Sequence, residues 1–322
     1  MALLEVQELS VELHHDAPRR LVNGLSFSLE GGRTLGIVGE SGSGKTMACR
    51  ALNGLLPAGA RGSAARLIFD GTDLSGFAER SFRAIRGRGI GMVFQDPMSA
   101  LNPYMRISAQ MCEVLRLHRG LKGRAALDAA VAEIEAVGIP DASARIHQYP
   151  HQFSGGQRQR ILIAISLLAR PKLLIADEPT TALDVTIQAQ ILELLKARQR
   201  ELGTAIIIIT HNLGVAADIC DDLLVMYSGM QMESGPAEDL LLRPAHPYTI
   251  ALRAAVPTGE REELPGIPGN APAAGMHIRG CPFASRCAKA LAICAEIRPD
   301  IVSPSNGRRC ACHLHSPAEA AR

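Results

Sequence analysis

No tryptophan occurs in this chain of 322 residues, and seven Phe with four Tyr bring aromatics to only 3%. Rings are too few for the stacked platforms on which single-stranded nucleic acids lie. Charge of one sign is also lacking: 34 basic against 32 acidic side chains leave +2. No charge imbalance therefore points to nucleic acid or anionic lipid. No apolar run approaches the ~20 residues of a membrane-spanning helix. The strongest, Ile161–Ala169 and Ala205–Ile209, are core-sized. The start, Met1-Ala-Leu-Leu-Glu5-Val, lacks the basic flank and cleavage site of an export signal. Together these absences predict a soluble, cytoplasmic chain, and a reducing compartment in turn argues against disulfides among its eight cysteines.

What is present is ordinary globular material, 47% apolar and 20% charged, at a length that suggests about two domains. Leu3–Leu13 and Leu21–Leu29 alternate as strands, and Ile107–Arg145 is spaced as helix. From Leu173 to Gly229 short apolar runs alternate with helical segments, the pattern of parallel βα units. Seven of the sixteen residues from Pro257 to Pro272 are Gly or Pro, which predicts a domain boundary. Residues 1–256 then form one domain and residues 257–322 a second, smaller one.

Four buried-looking runs end in polar groups: Leu35–Val38 at Gly39, Ile90–Phe94 at Gln95, Leu173–Ala176 at Asp177-Glu178, and Ala205–Thr210 at His211. Strands covered on both faces read as such runs, and their carboxyl ends are where such sheets bind ligands. The first end, Gly39-Glu40-Ser41-Gly42-Ser43-Gly44-Lys45-Thr46, fits the phosphate-loop pattern in full. Its glycines let successive N–H groups face phosphate, Lys45 adds a charge, and the Thr46 hydroxyl suits Mg²⁺. Asp177 is placed to hold Mg²⁺ through water and Glu178 to take a proton from an attacking water, although the same pair could simply cap a helix. Gln95 and His211 are weak alone, and each ends a strand of the proposed sheet. Ser154-Gly155-Gly156-Gln157 is read as a second anion-binding helix start, with Ser154 as the cap. A second cradle beside a complete first one suggests a partner's nucleotide.

In this order the motifs resemble the ATP-binding subunit of ABC transporters: Gly39–Thr46, Gln95, Ser154–Gln157, Asp177-Glu178, Ala182-Leu183-Asp184 and His211. The resemblance implies a RecA-like α/β phosphate-loop core, an antiparallel β subdomain, and a helical subdomain at about residues 96–170. It implies two cassettes, identical or different, enclosing two ATP between them, with Ala182-Leu183-Asp184 as the loop that touches across. It also implies Mg²⁺ held through Thr46, Gln95 and Asp177, and catalysis by Glu178, His211 and Gln95. Tyr149–Arg160, His246-Pro-Tyr-Thr249, Ile267-Pro-Gly269 and Gly280-Cys-Pro-Phe-Ala-Ser-Arg-Cys287 are similar to the oligopeptide/dipeptide/nickel importer branch. Two transmembrane permease subunits, an extracytoplasmic substrate-binding protein and a place on the cytoplasmic face of the bacterial inner membrane follow from that likeness. The family's adenine-stacking aromatic is replaced here by Leu13, followed by His14-His15. The cargo reads as di- or oligopeptide, with nickel or a metallophore as the alternative. A soluble ABC ATPase acting on nucleic acid and a P-loop kinase are rivals that leave the near-neutral charge or the signature unexplained.

Five cysteines crowd near the C-terminal end: Cys281, Cys287, Cys294, Cys310 and Cys312. Their spacing lacks the knuckle of a zinc ribbon. The branch resemblance implies a 4Fe-4S cluster on Cys281, Cys287, Cys294 and Cys312, with zinc or reduced structural thiols as alternatives.

Overall fold

The computed structural model describes residues 2–14, 18–181, 183–255, 266–304 and 307–316. They divide into two compact units, one from residues 1–79 and 209–322 and the other from residues 80–208.

The first unit holds two sheets. In the first sheet β1 (Ala2–Leu13) pairs antiparallel with β2 (Arg19–Glu30). Leu4 and Val6 are buried, and so are Leu9 and Val11, an odd-numbered step that strict alternation forbids. A register slip between Val6 and Leu9, with Glu8 at φ 53°, absorbs the extra residue as a bulge and keeps both pairs facing the core. β3 (Thr34–Val38) belongs to the second sheet. β4 (Ala60–Ser63) and β5 (Arg66–Phe69) also pair with β1, and β6 (Thr72–Asp73) pairs with β5.

In the second unit β7 (Ile90–Val93) and β8 (Leu173–Asp177) run parallel, Ile90 opposite Leu173 and Val93 opposite Ala176, with every residue of both buried. Phe94, expected to end β7, lies outside it and is exposed. The helix Ile107–Arg119 buries Ile107, Met111 and Leu115, one per turn, and stops at Gly120 in the left-handed conformation. Helices Gly123–Ala136, Gly155–Leu167 and Val185–Leu202 complete the unit's main helices. Arg198, only 7% exposed, pairs with Glu133 across two of them.

β9 (Ala205–Thr210) is wholly buried and carries the chain from the second unit back to the first. There β10 (Asp222–Tyr227) lies parallel to β3 and antiparallel to β11 (Met230–Pro236), which in turn pairs with β12 (Arg309–Cys310). The core on this sheet gathers Val38, Leu223, Val225, Tyr227, Leu240 and Tyr248, and it includes Phe283 from the C-terminal segment. Residues 256–265, within which most of the Gly/Pro-rich stretch falls, lie outside the described residues.

A buried polar knot ties that segment down. Glu233, fully buried, accepts the N–H groups of Ala245 at 2.9 Å and His246 at 3.0 Å and a guanidinium N–H of Arg308 at 2.7 Å. His246 is 1% exposed, and its Nδ1 accepts the Tyr248 N–H at 3.0 Å as the N-cap of helix Pro247–Ala254. Burial pushes its imidazole down to about 4, against the attraction of Glu233. An unfolded histidine titrates near 6.5, so the neutral ring's contribution is complete above that pH and is lost as pH falls toward 4. His246 should therefore remove roughly 2–3 kcal/mol of stability between pH 7 and pH 4.5. In His246→Asn, which retains a capping oxygen, urea unfolding at the two pH values should show a correspondingly flatter dependence.

Candidate nucleotide site

In the first unit the chain leaves β3 at Val38 and turns through Gly39–Ser43 into helix Lys45–Leu52, with Gly44 as its N-cap. Gly39 has φ 155° and Gly44 φ 95°. A Cβ on Gly39 would stand 2.1 Å from the Met226 carbonyl oxygen, and one on Gly44 2.6 Å from that of Leu21. Neither position admits a side chain, so the loop backbone packs directly against β10 and β2. Gly229 fastens it: its N–H donates to the Ser43 carbonyl at 2.9 Å, and its own carbonyl accepts the Asn23 N–H at 2.8 Å. Lys45 is 5% exposed and folds its ammonium back over the loop, donating to the carbonyls of Gly39 at 2.7 Å and Glu40 at 2.8 Å and to Ser43 Oγ at 3.3 Å. Ser41 and Gly42 are exposed at the tip, and Thr46 is half-buried.

Glu40 is held at every polar group. Its N–H donates to Tyr248 Oη at 2.9 Å, its carbonyl accepts Lys45, and its carboxylate accepts both terminal nitrogens of Arg286, at 2.6 and 3.0 Å. Tyr248 and Arg286 carry no role in the sequence reading. Their only signal was membership in the two C-terminal branch motifs.

His211 follows β9 and is exposed. Asn212, to which the sequence assigns nothing, caps helix Leu213–Ile219 by accepting the Gly214 N–H at 2.8 Å, and its own N–H donates to Thr210 Oγ1 at 3.0 Å. Leu13 lies half-buried at the end of β1 opposite Arg19, while His14 is exposed with Nε2 3.9 Å from the Glu12 carboxylate.

The second unit brings together Gln95 and Glu178, 83 residues apart. Asp177, 2% exposed, closes β8. Glu178 follows with φ 46°, a left-handed conformation that costs a side-chain-bearing residue about 1–2 kcal/mol. Its Oε2 accepts from Thr181 Oγ1 at 2.8 Å and from Gln95 Nε2 at 3.3 Å. Ser154 caps helix Gly155–Leu167: its Oγ accepts the Gln157 N–H at 3.3 Å, and Gln157 Oε1 accepts the Ser154 N–H at 3.2 Å. That reciprocal box leaves Ser154 and Gly155 exposed, and beside them a Cβ on Gly156 would meet Ile187 Cγ2 at 2.9 Å. Asp184 caps helix Val185–Leu202 by accepting the Ile187 N–H at 2.9 Å, and Leu183 is half-buried. Ala182 lies outside the described residues.

The cysteine tail needs a correction. No cysteine forms a disulfide. Cys281 donates its N–H to the Cys294 carbonyl at 2.8 Å, and burial pushes its thiol up to about 11, with Cys294, Cys312 and Cys287 adding to the rise. Burial raises Cys312 as well. Cys310 is drawn into β12 opposite Glu233. Among the described residues no group of three or more His, Cys, Asp or Glu is arranged to hold a metal ion. The 4Fe-4S set Cys281, Cys287, Cys294 and Cys312 is therefore not supported, nor is the zinc alternative. The thiols do not converge, and burial favours the neutral form of Cys281 and Cys312. Nor, among the described residues, is any helix long and apolar enough to cross a membrane.

The ABC transporter family model matches residues 22–181, and the model described as the oligopeptide/dipeptide transporter C-terminal region matches residues 232–294. The oligopeptide transport ATP-binding protein OppD of Salmonella typhimurium is 51% identical over 314 residues, which cover 96% of this chain and 93% of that protein. The dipeptide transport ATP-binding protein DppD of Bacillus subtilis is 44% identical over 316 residues, covering 97% and 94%. Among solved structures, cbiO1 of Clostridium perfringens, part of the ABC transporter complex cbiONQ, is 27% identical with a TM-score of 0.64 over 75% of this chain and 91% of its own. The ATP-binding cassette MJ0796, in a dimeric post-hydrolysis state with ADP and Pi, has the same TM-score at 22% identity over 73% and 98%, a likeness of fold. The α/β cassette expected from the motifs is the fold these proteins share, and the chain belongs to the ATP-binding subunits of ABC transporters, in the branch that carries the oligopeptide/dipeptide transporter C-terminal region.

Proposed function

We propose that this chain binds and hydrolyses ATP to drive import of di- or oligopeptides through separate membrane subunits. The observation that carries the reading is the preformed loop Gly39–Thr46, where two positions exclude any side chain and a buried ammonium bridges the loop carbonyls. Such a nest, opening a helix, is built for a polyphosphate. Lys45 exchanges its carbonyl partners for the outer phosphates. Ser154, Gly155, Gly156 and Gln157 present a second helix start to a nucleotide held by a partner cassette, identical or different, with Ala182, Leu183 and Asp184 along the junction.

Glu178 accepts the proton of the attacking water, and its contacts to Gln95 and Thr181 hold the carboxylate in place for that task. His211 donates toward the γ-phosphate. Thr46, Gln95 and Asp177 offer hydroxyl, amide and carboxylate oxygens, a hard donor set that fits Mg²⁺, which when bound would neutralise phosphate charge. Catalysis of this kind needs positioning and charge compensation and no covalent nucleophile.

Peptide cargo is favoured because relatives matching nearly the whole chain are named for oligopeptide or dipeptide transport. We place the subunit on the cytoplasmic face of the bacterial inner membrane, docked to two permease subunits that receive cargo from an extracytoplasmic binding protein. Mass spectrometry of what a co-encoded binding protein retains decides the cargo: peptides support the reading, and nickel or a metallophore overturns it.

A second reading concerns the tail. Cys281, Cys287, Cys294 and Cys312 lie within one short C-terminal segment, the Cys281 N–H donates to the Cys294 carbonyl at 2.8 Å, and thiolate sulfur is a soft donor suited to iron. Anaerobic purification tests it: a brown protein containing iron and acid-labile sulfide supports a 4Fe-4S cluster, and a colourless one ends that idea.

For the ATPase, Glu178→Gln should bind ATP with near-native affinity while phosphate release falls ~10²–10⁴-fold; near-native turnover would refute the proton-acceptor role. The same variant, loaded with MgATP, should elute as a dimer on size-exclusion chromatography. Adding Ser154→Arg should return it to monomer, and a dimer indifferent to that change would sink the shared-nucleotide arrangement.

A further inference from the structure

We propose that Arg286, in the C-terminal segment, is a positioning residue for nucleotide binding: it neutralises and clamps Glu40 inside the phosphate loop, so that ATP affinity depends on the docked C-terminal segment. This rests on reading Gly39–Thr46 as a triphosphate cradle.

A carboxylate is out of place at the second position of a loop meant for a polyanion. Left bare, Glu40 would repel the phosphates that Lys45 attracts. The structure removes that conflict from 246 residues away. The Arg286 guanidinium takes both Glu40 oxygens, at 2.6 and 3.0 Å, in the two-pronged geometry that binds carboxylates most firmly. Only 5% of the Arg286 side chain is exposed, so solvent screens the pair little. The remaining guanidinium N–H groups are also used, donating to Tyr227 Oη at 3.0 Å and to the carbonyls of Ile267 at 3.1 Å and Pro268 at 2.8 Å. The cation also sits 5.7 Å from the Tyr227 ring centroid and 6.0 Å from that of Phe283. Bonds to Glu40 are the largest influence holding the guanidinium charged. Tyr248 meanwhile takes the Glu40 N–H, so the loop's second residue is fixed by groups from two remote stretches of chain. Lysine could not reproduce this, since it offers a point charge in place of a planar fork.

The test uses the full-length chain and fluorescent mant-nucleotides with Mg²⁺. Arg286→Ala should raise the Kd for mant-ATP by about 10-fold and that for mant-AMP much less, because the exposed Glu40 charge acts on the outer phosphates. The difference should shrink at 1 M salt. Adding Glu40→Gln to Arg286→Ala should bring mant-ATP affinity back to within about threefold of Glu40→Gln alone, a coupling that simple loss of structure would not produce. Arg286→Lys should fall between wild type and Arg286→Ala, and it carries the test together with the double variant if Arg286→Ala does not fold. Mant-ATP affinity within twofold of wild type in Arg286→Lys and Arg286→Ala, or equal weakening for ATP and AMP without rescue, overturns the proposal. Lys45→Ala separates the underlying reading: if that variant keeps full ATP affinity, the loop assignment fails on its own account.

Discussion

Exclusion of side chains from two points of one loop is the constraint on which the first unit depends. At Gly39 and Gly44 the backbone lies against the carbonyl oxygens of Met226 and Leu21, closer than any Cβ allows. That contact brings β2, β3 and β10 to the same few residues, and Gly229 locks them with hydrogen bonds in two directions. With its carbonyls turned inward, the loop gathers the Lys45 ammonium and leaves Ser41 and Gly42 at an open tip. Such an arrangement separates the Lys45 ammonium from the strands that fix its position, so the loop is packed at its base and exposed at its tip.

A second theme is economy of capping. Ser154, Asp184 and Asn212 each satisfy N–H groups at the start of a helix. A cap and an anion site use the same free donors, so a short polar side chain that completes a helix also decides which N–H groups remain for a ligand. Ser154 and Gln157 close their two donors on each other, and the glycines beside them keep the rest of the turn accessible. Glu178 shows the opposite economy. It stands in a left-handed conformation with its carboxylate held by Gln95 and Thr181, local strain accepted where orientation of one group matters.

Scarce aromatics are concentrated where the C-terminal segment meets the first unit. Tyr227, Tyr248 and Phe283 meet in tilted and edge-to-face contacts with centroids 4.6–5.4 Å apart, and the hydroxyls of both tyrosines reach the Arg286–Glu40 pair. A ring offers a large apolar face and, in tyrosine, a polar tip, so the trio both buries the segment and satisfies the polar groups beneath it. At β11 buried charge plays a similar part: the Glu233 carboxylate gathers the N–H groups of Ala245 and His246 and the guanidinium of Arg308 from the C-terminal segment.

Local chemistry was legible in the chain. Glycines at set spacing announced the phosphate loop, continuous apolar runs announced β3, β7, β8 and β9, and Ser154 announced its cap, because each signal lies within a few residues of its effect. Small departures were local too: the bulge at Glu8 shifts a register that alternation alone predicts, and β7 stops one residue early. The cysteines warn in the other direction, for the branch likeness implied a metal set that the described thiols are not arranged to form. Sequence by itself determined the family, the glycine loop and the order of the motifs. Tertiary structure alone decided that Gln95 touches Glu178, that Asn212 is a cap with a second anchor, and that Tyr248 and Arg286 grip Glu40 from over two hundred residues away. The physical reason is distance along the chain: a hydrogen bond between remote segments leaves no periodicity or spacing to read, and it exists only once packing has brought the donors and acceptors together.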